Sequence, residues 1–425
     1  MLQDRVNVPD ADLQPTVSNL LAIYALASSL TSPIAGILAD KLSVSRQIPF
    51  LLGLVFMILS TFLLAIGRSV PVIALARFLQ GASGGVLWTI GTAILAETVG
   101  LDNLGRTVGT IMSIVTATTV FAPFVGGTLY VKTGYNGVFG VGLAVLIVDL
   151  LMRLLMIEKN AAEKRAEDHP EDASSSASGD RTATESTPLI REDNDDENTA
   201  FQLPQPQNRL TKTFPIILML ADPSLLTASF VAFMQAILLG AFDATIPLVA
   251  SSHYGFDSLK AGLLFLPLGC TDLLLGPVCG WCIDRWGTRI VGVIGFLFLV
   301  PALVLLRLPF EQAVVDSLST AHQITLYAAL LAVNGIGEAI IAPIPTVESG
   351  LIVDKYWKAN RDLFVRAPYA QLYGINSMLW SGGLTVGPLV AGALKDNIGY
   401  GNMNAVLSGL CGLAAILSFL FLGRK

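Results

Sequence analysis

Between Val17 and Leu422 the chain is cut into long apolar stretches parted by short polar turns, and that spacing leaves few folds open. An α-helix needs about 20 residues to cross roughly 30 Å of hydrocarbon. In lipid every backbone N–H and C=O must be satisfied internally, so only helices and closed barrels span. A barrel strand would alternate apolar and polar residues. These stretches are continuously apolar, with 53% hydrophobic and 14% charged residues and a mean hydropathy of +0.65. Too little polar surface remains to cover a soluble core of this size, and an all-α membrane protein is predicted.

Five spans are expected in a first half, residues 1–157: about Val17 to Ala39, Ile48 to Ile66, Val72 to Ala96, Val108 to Tyr130 and Val138 to Met156. The first 16 residues read as an exposed tail. Residues 158–212 form a linker whose acidic part, 158–200, carries 13 Asp and Glu against 5 Lys and Arg. That segment accounts for more than the whole formal charge of −6 and leaves +2 for the rest. It buries too little apolar surface to offset ordering entropy, so disorder is expected, and its charge does not point to nucleic acid. Phe214 to Leu220 is too short to span and is placed at the membrane interface. Six further spans fill a second half, 213–425: about Leu225 to Ala250, Leu259 to Ile283, Ile290 to Leu308, Ile324 to Ile352, Tyr369 to Leu394 and Asn404 to Leu422.

Alternate turns carry Lys41, Arg46, Arg106, Arg285, Arg289, Lys355, Lys358, Arg361, Arg366, Arg424 and Lys425, and the opposite turns few basic residues beyond Arg68, Lys132 and Lys260. The basic set is expected on the cytoplasmic side. Eleven spans would then leave the amino terminus outside without a signal peptide, so a helix before Val17 is expected to be missing from the chain.

One stretch occurs twice. Residues 32–46 contain Pro33, Gly36, Asp40 and Lys41; residues 276–289 repeat the pattern with Pro277, Gly280, Asp284 and Arg285, followed by Arg289. Further on, Arg77, Gln80 and Gly81 form R-x-x-Q-G, and Gly109, Pro123, Gly126 and Gly127 fill most of a G-x8-G-x3-G-P-x2-G-G pattern, echoed at Gly387, Pro388 and Gly392. Together these motifs resemble those of the major facilitator superfamily, secondary transporters with two pseudo-symmetric six-helix halves. The resemblance covers the whole chain except the absent first helix. The third pattern is that of the family's antiporters, and the sugar-porter signature is absent after Met156, which favours export. Within the family the chain looks like the proton-coupled drug antiporters and vesicular amine transporters. Asp243 before Pro247, and Glu338 before Pro343, match acidic residues of those relatives. Where the amine transporters carry a lysine and an aspartate, this chain has Tyr24 and Ser377, so a monoamine substrate is not implied.

An ionisable side chain inside a bilayer costs at least about 2.5 kcal/mol and needs a protein or water contact. Glu338, in the setting Asn334-Gly335-Ile336-Gly337, is the leading candidate for proton or substrate binding, with Asp243, Asp272, Arg77 and Gln80 as further candidates. The alternatives are static hydrogen-bonded carboxylates and an arginine reaching for the interface. The resemblance implies that Asp40 and Asp284 belong to a conformational latch, with Arg46, Arg106 and Arg289 as partners. Trp88 and Trp380 are expected in ordinary packing, with the lining of a cavity as the alternative. Cys279 and Cys282 form C-x-x-C but lack a histidine, so no metal site is expected. Glu185 with Leu189 and Ile190 fits an acidic dileucine sorting pattern.

The expectation is a non-enzymatic, cofactor-free transporter, monomeric in the bilayer. It exchanges a small organic molecule, a drug or secondary metabolite, for protons, most plausibly at the plasma membrane, with vacuolar or endosomal membranes as alternatives. Nutrient uptake by proton symport and a non-transporting paralogue are the competing readings.

Overall fold

The computed structural model describes residues 6, 9–41, 46–155, 201–204, 214–256, 258–364 and 366–423. The acidic linker and its sorting pattern lie outside the described residues.

The secondary structure of the described residues is helical, and the long helices are α1 (Asp10–Lys41), α2 (Gln47–Ile66), α3 (Val70–Val99), α4 (Leu104–Leu155), α5 (Pro223–Tyr254), α6 (Phe265–Trp286), α7 (Thr288–Leu305), α8 (Thr320–Ile341), α9 (Ile344–Ala359), α10 (Tyr369–Ile398) and α11 (Tyr400–Phe421). Ten runs among the described residues are long and apolar enough to cross a membrane. Leu52, Phe56 and Leu59 on α2 are more than half exposed, which in water would be costly and in lipid is not.

The 52-residue α4 is two passes rather than one. Gly134 has φ 68° and ψ −169°, a conformation essentially confined to glycine, and the chain reverses there. After the reversal Tyr135 donates its hydroxyl hydrogen to the Ala65 carbonyl at the end of α2 (3.1 Å), and Arg153 lies over the Phe50 ring at the start of α2, 4.9 Å from its centroid. The second part of α4 therefore runs antiparallel to α2, as the separate fourth and fifth predicted spans require.

Three expectations change in detail. The first helix begins at Asp10, not Val17, because propagating a formed helix adds one hydrogen bond per residue fixed. The predicted span Ile324 to Ile352 is broken into α8 and α9 at Pro343, which has no N–H to continue the ladder. The short helix Ile216–Met219 is not merely interfacial: Ile216 and Met219 are buried in the main core. Asp222 then caps α5, accepting from the Ser224 and Leu225 amides at 2.7 and 3.3 Å.

Candidate functional site

Two helix pairs join the first half to the second. Along α4 and α6, Gly105, Gly109, Ser113 and Thr116 face Asp284, Gly280, Gly276 and Asp272. A Cβ added at Gly109 would stand 3.1 Å from the Gly276 carbonyl carbon, so only glycines allow this approach. Ser113 donates to the Gly109 and Asp272 carbonyls, each at 3.0 Å, and Thr116 donates to the Asp272 carboxylate. Along α1 and α10, Ser28, Ser32, Gly36 and Asp40 face Ser381, Ser377, Gly374 and Gln371. A Cβ at Gly36 would come within 2.8 Å of the Ala370 carbonyl carbon, and the Ser32 and Ser377 hydroxyls meet at 3.0 Å.

Each seam ends in one of the repeated aspartates. Asp284 accepts from the backbone amides of Gly105 and Arg106 at 2.7 and 2.8 Å, in the first turn of α4. Asp40 accepts from the Gln371 amide at 2.8 Å, in the first turn of α10. A carboxylate placed on free N–H groups at the positive end of a helix dipole is stabilised twice over. The two aspartates thus bind helix termini of the opposite half, a role that motif spacing alone did not disclose.

The expected arginine partners divide. Arg46 does pair with Asp40 at 2.6 Å and also meets Glu97 at 3.0 Å, while Arg366 approaches Glu97 at 3.7 Å. Asp284 is held by the main-chain N–H of Arg106 rather than by its guanidinium, and Arg289 lies over the Phe419 ring, 4.7 Å from its centroid. Lys41 lies over the Phe214 ring at 3.8 Å, and Arg285 over Trp281 at 5.8 Å. Glu97, Arg366 and Gln371 were missed in the sequence because their turns are polar throughout and nothing there marks a buried pair.

Arg46 and Asp40 have side chains only 2% and 4% exposed. Removing one partner strands the other charge, so Arg46→Leu is expected to cost about 3 kcal/mol. Arg46→Leu combined with Asp40→Asn should recover much of that loss. Thermal unfolding in detergent checks both; equal losses in the single and double variants would contradict the pairing.

Beyond the closed seams lies a cavity of about 290 Å³ lined by residues that include Tyr24, Trp88, Gln235, Asn376, Ser377 and Trp380. A second space of about 150 Å³ shares Met112, Val115, Gln235, Ala342 and Trp380 with it and adds Asp243, Asp272 and Glu338. Three carboxyl groups separated by up to 95 positions in the chain therefore line one site. Glu338 is 9% exposed, and its Oε1 has no hydrogen-bond partner; the same holds for Oδ1 of Asp272. The two tryptophans line the cavity as well as packing. Tyr24 and Ser377, which stand where the amine transporters carry charge, line it too.

Other sequence candidates lie elsewhere. Arg77 donates to Gln80 at 3.3 Å and Gln80 to Thr61 at 3.0 Å, outside the residues lining either space, although Arg77 is within electrostatic reach of Tyr24. Gly81 seats α3 on α1, where a Cβ would be 2.9 Å from the Tyr24 carbonyl carbon. Gly126 and Gly127 have nothing within 4 Å of an added Cβ, and Pro123 falls in α4. The four cysteines are free, and no group of three metal-ligating side chains occurs among the described residues. Gln235 was overlooked, yet it lies eight residues before Asp243 on the same helical face. A lone amide within an apolar run was its available signal.

The sequence compares with known proteins as follows. The model of the Major Facilitator Superfamily matches residues 10–348 and 229–425. An MFS-type transporter, ppzB, of Metarhizium majus (strain ARSEF 297) is 37% identical over 437 residues, covering 100% of this chain and 94% of that protein. An uncharacterised MFS-type transporter, C18.02, of Schizosaccharomyces pombe is 34% identical, covering 98% of this chain and 88% of that one. The vesicular acetylcholine transporter of Drosophila melanogaster is 22% identical over 92% of this chain and 57% of its own length. Among solved structures, the human organic anion transporter MFSD10 (TETRAN) superposes with a TM-score of 0.65 at 18% identity, covering 94% of this chain and 83% of that one, a likeness of fold. With paired seams, a cavity between halves and family-wide sequence agreement, the chain is a membrane transporter, not an enzyme, and belongs to the Major Facilitator Superfamily.

Proposed function

We propose that this transporter exports a small organic molecule in exchange for protons, at the plasma membrane, by alternating access of the cavity between its halves. One observation carries the reading: Asp243, Asp272 and Glu338 line a space that opens onto Tyr24, Trp88 and Trp380. Carboxyl groups retained at such a place, despite the cost of burying charge, are suited to proton exchange. Aromatic faces and hydroxyls beside them suit a partly apolar organic substrate, and an organic cation would gain from both. A relative named for acetylcholine transport is compatible with such a cargo. With the Asp40 and Asp284 contacts made, the basic end, read as cytoplasmic, is shut and the cavity faces outward. The chain acts as a monomer in this scheme, because both seams lie within it.

The test uses purified protein in vesicles with an acid interior and the fluorescent cation ethidium added outside. Ethidium should accumulate, release protons from the vesicle, and leak back when nigericin collapses the pH gradient. Accumulation indifferent to nigericin would sink proton exchange. Accumulation only when the gradient is reversed would favour uptake by symport instead.

A further inference from the structure

We infer that Asp272 and Thr116 form the link between protonation in the cavity and the opening of the basic end. The inference rests on the proton-exchange reading above and assigns a positioning role to a residue that no motif singles out.

The two inter-half seams are alike at one end and unlike at the other. At the basic end each finishes in an aspartate on a helix N-terminus, Asp284 on α4 and Asp40 on α10. At the cavity end the α1–α10 seam finishes in neutral hydroxyls, Ser28 and Ser381, 3.4 Å apart. The α4–α6 seam finishes instead in a hydrogen bond from Thr116 to the carboxylate of Asp272. Asp272 lies twelve residues, or about three turns, from Asp284 on one helix. Between them Gly276 and Gly280 hold α6 against α4 without a side chain to absorb movement. A change at Asp272 is therefore transmitted along a rigid contact.

Asp272 also faces the cavity. One carboxylate oxygen is engaged by Thr116, while the other is buried without a partner and lines the same space as Glu338. Among the described residues, the titratable groups around it are Glu338 on α8, Asp243 on α5 and Cys279 on its own helix, with Cys411 of α11 beside Glu338. No lysine or arginine lines either cavity. An ionised carboxylate accepts from a hydroxyl roughly twice as strongly as a neutral acid does. A proton arriving from the outward-facing cavity and bound at Asp272 thus weakens the bond to Thr116 and loosens the α4–α6 seam. Loss of the proton on the other side restores it. The α1–α10 seam has no such group at its cavity end and serves as the hinge side.

The experiment places spin labels at Asn103 and Trp286, on the exposed basic ends of α4 and α6, and measures their separation in nanodiscs from pH 8 to pH 5. In the otherwise unaltered protein, acidification should increase the widely separated population. Thr116→Val, which removes the donor and leaves the acid in place, should raise that population about tenfold at pH 8 and flatten its pH response. Asp272→Asn, which keeps an acceptor for Thr116 but takes up no proton, should hold the labels close at every pH. Glu338→Gln should retain a pH response. The same pH curve in Thr116→Val as in the parent would overturn the inference, as would a persistent response in Asp272→Asn. A parent protein whose labels ignore pH overturns it too. In that event, proton release with ethidium in vesicles tells whether proton exchange survives or falls with it.

Discussion

Glu338→Gln is expected to abolish gradient-driven accumulation while leaving the protein as stable as before. Gly335 and Gly337 flank Glu338 and let α8 sit directly on α6 and α7. A Cβ at Gly335 would lie 3.0 Å from the Leu268 carbonyl carbon, and one at Gly337 would lie 2.5 Å from Leu299 Cγ. That packing leaves the carboxyl group turned into the space shared with Asp243 and Asp272. Its Oε1 meets no donor, so glutamine loses no hydrogen bond there. Replacing an unpaired buried acid by a neutral isostere is neutral or stabilising, and the unfolding midpoint should stay or rise. Function should behave differently. A gradient of two pH units stores about 2.7 kcal/mol per exchanged proton, or about a hundredfold accumulation. A side chain that binds no proton cannot draw on it. Ethidium exchange at equal pH on both sides should continue in the variant. A lowered unfolding midpoint together with intact accumulation would instead assign Glu338 a purely structural part.

Gly280→Ala is expected to force the basic end open. The added methyl would sit 2.7 Å from the Gly105 carbonyl carbon and 2.9 Å from Arg106 Cα, both main-chain atoms that cannot rotate away. Separating α4 from α6 there also draws Asp284 from the amides of Gly105 and Arg106. Overpacking of this kind costs about 2 kcal/mol, roughly thirtyfold in the balance between closed and open forms. Labels at Asn103 and Trp286 should move apart even at pH 8, and transport should slow because the return to the closed form is hindered. Gly409→Ala is the control. Its Cβ would meet nothing within 4 Å, and alanine is favoured over glycine within a helix by about 1 kcal/mol. Closed labels in Gly280→Ala would mean that the helices yield elsewhere, and the seam would not be the barrier described here.

Much of the architecture was legible because lipid imposes simple rules. Span length follows from the thickness of hydrocarbon, and the repeat of Pro33, Gly36 and Asp40 at Pro277, Gly280 and Asp284 marks two related halves. The reversal at Gly134 shows the limit of such rules: the helix ladder runs nearly unbroken through a turn that only a positive φ discloses. The site was half legible. Asp243, Asp272 and Glu338 stood out as charges inside apolar runs, whereas Gln235 and Thr116 are uncharged and invite no explanation until their neighbours are known. Glu97 and Arg366 escaped for the opposite reason, since charge in a polar turn is unremarkable until it is buried or paired.

The amino-acid sequence by itself determined that this chain lies in a membrane, that its halves repeat, and which ionisable groups must find shelter there. Those conclusions depend on local quantities: the length of an apolar run, the spacing of a motif, the cost of a charge in hydrocarbon. Only the tertiary structure decided that three of those carboxyl groups share one cavity, that Asp40 and Asp284 bind helix termini across the halves, and that Asp272 touches both cavity and seam. Such contacts join α6 to α4 and α10 to α1 over distances of up to 331 residues in the chain. They depend on how closely glycine-lined helices approach, a property of pairs of surfaces that no single stretch contains.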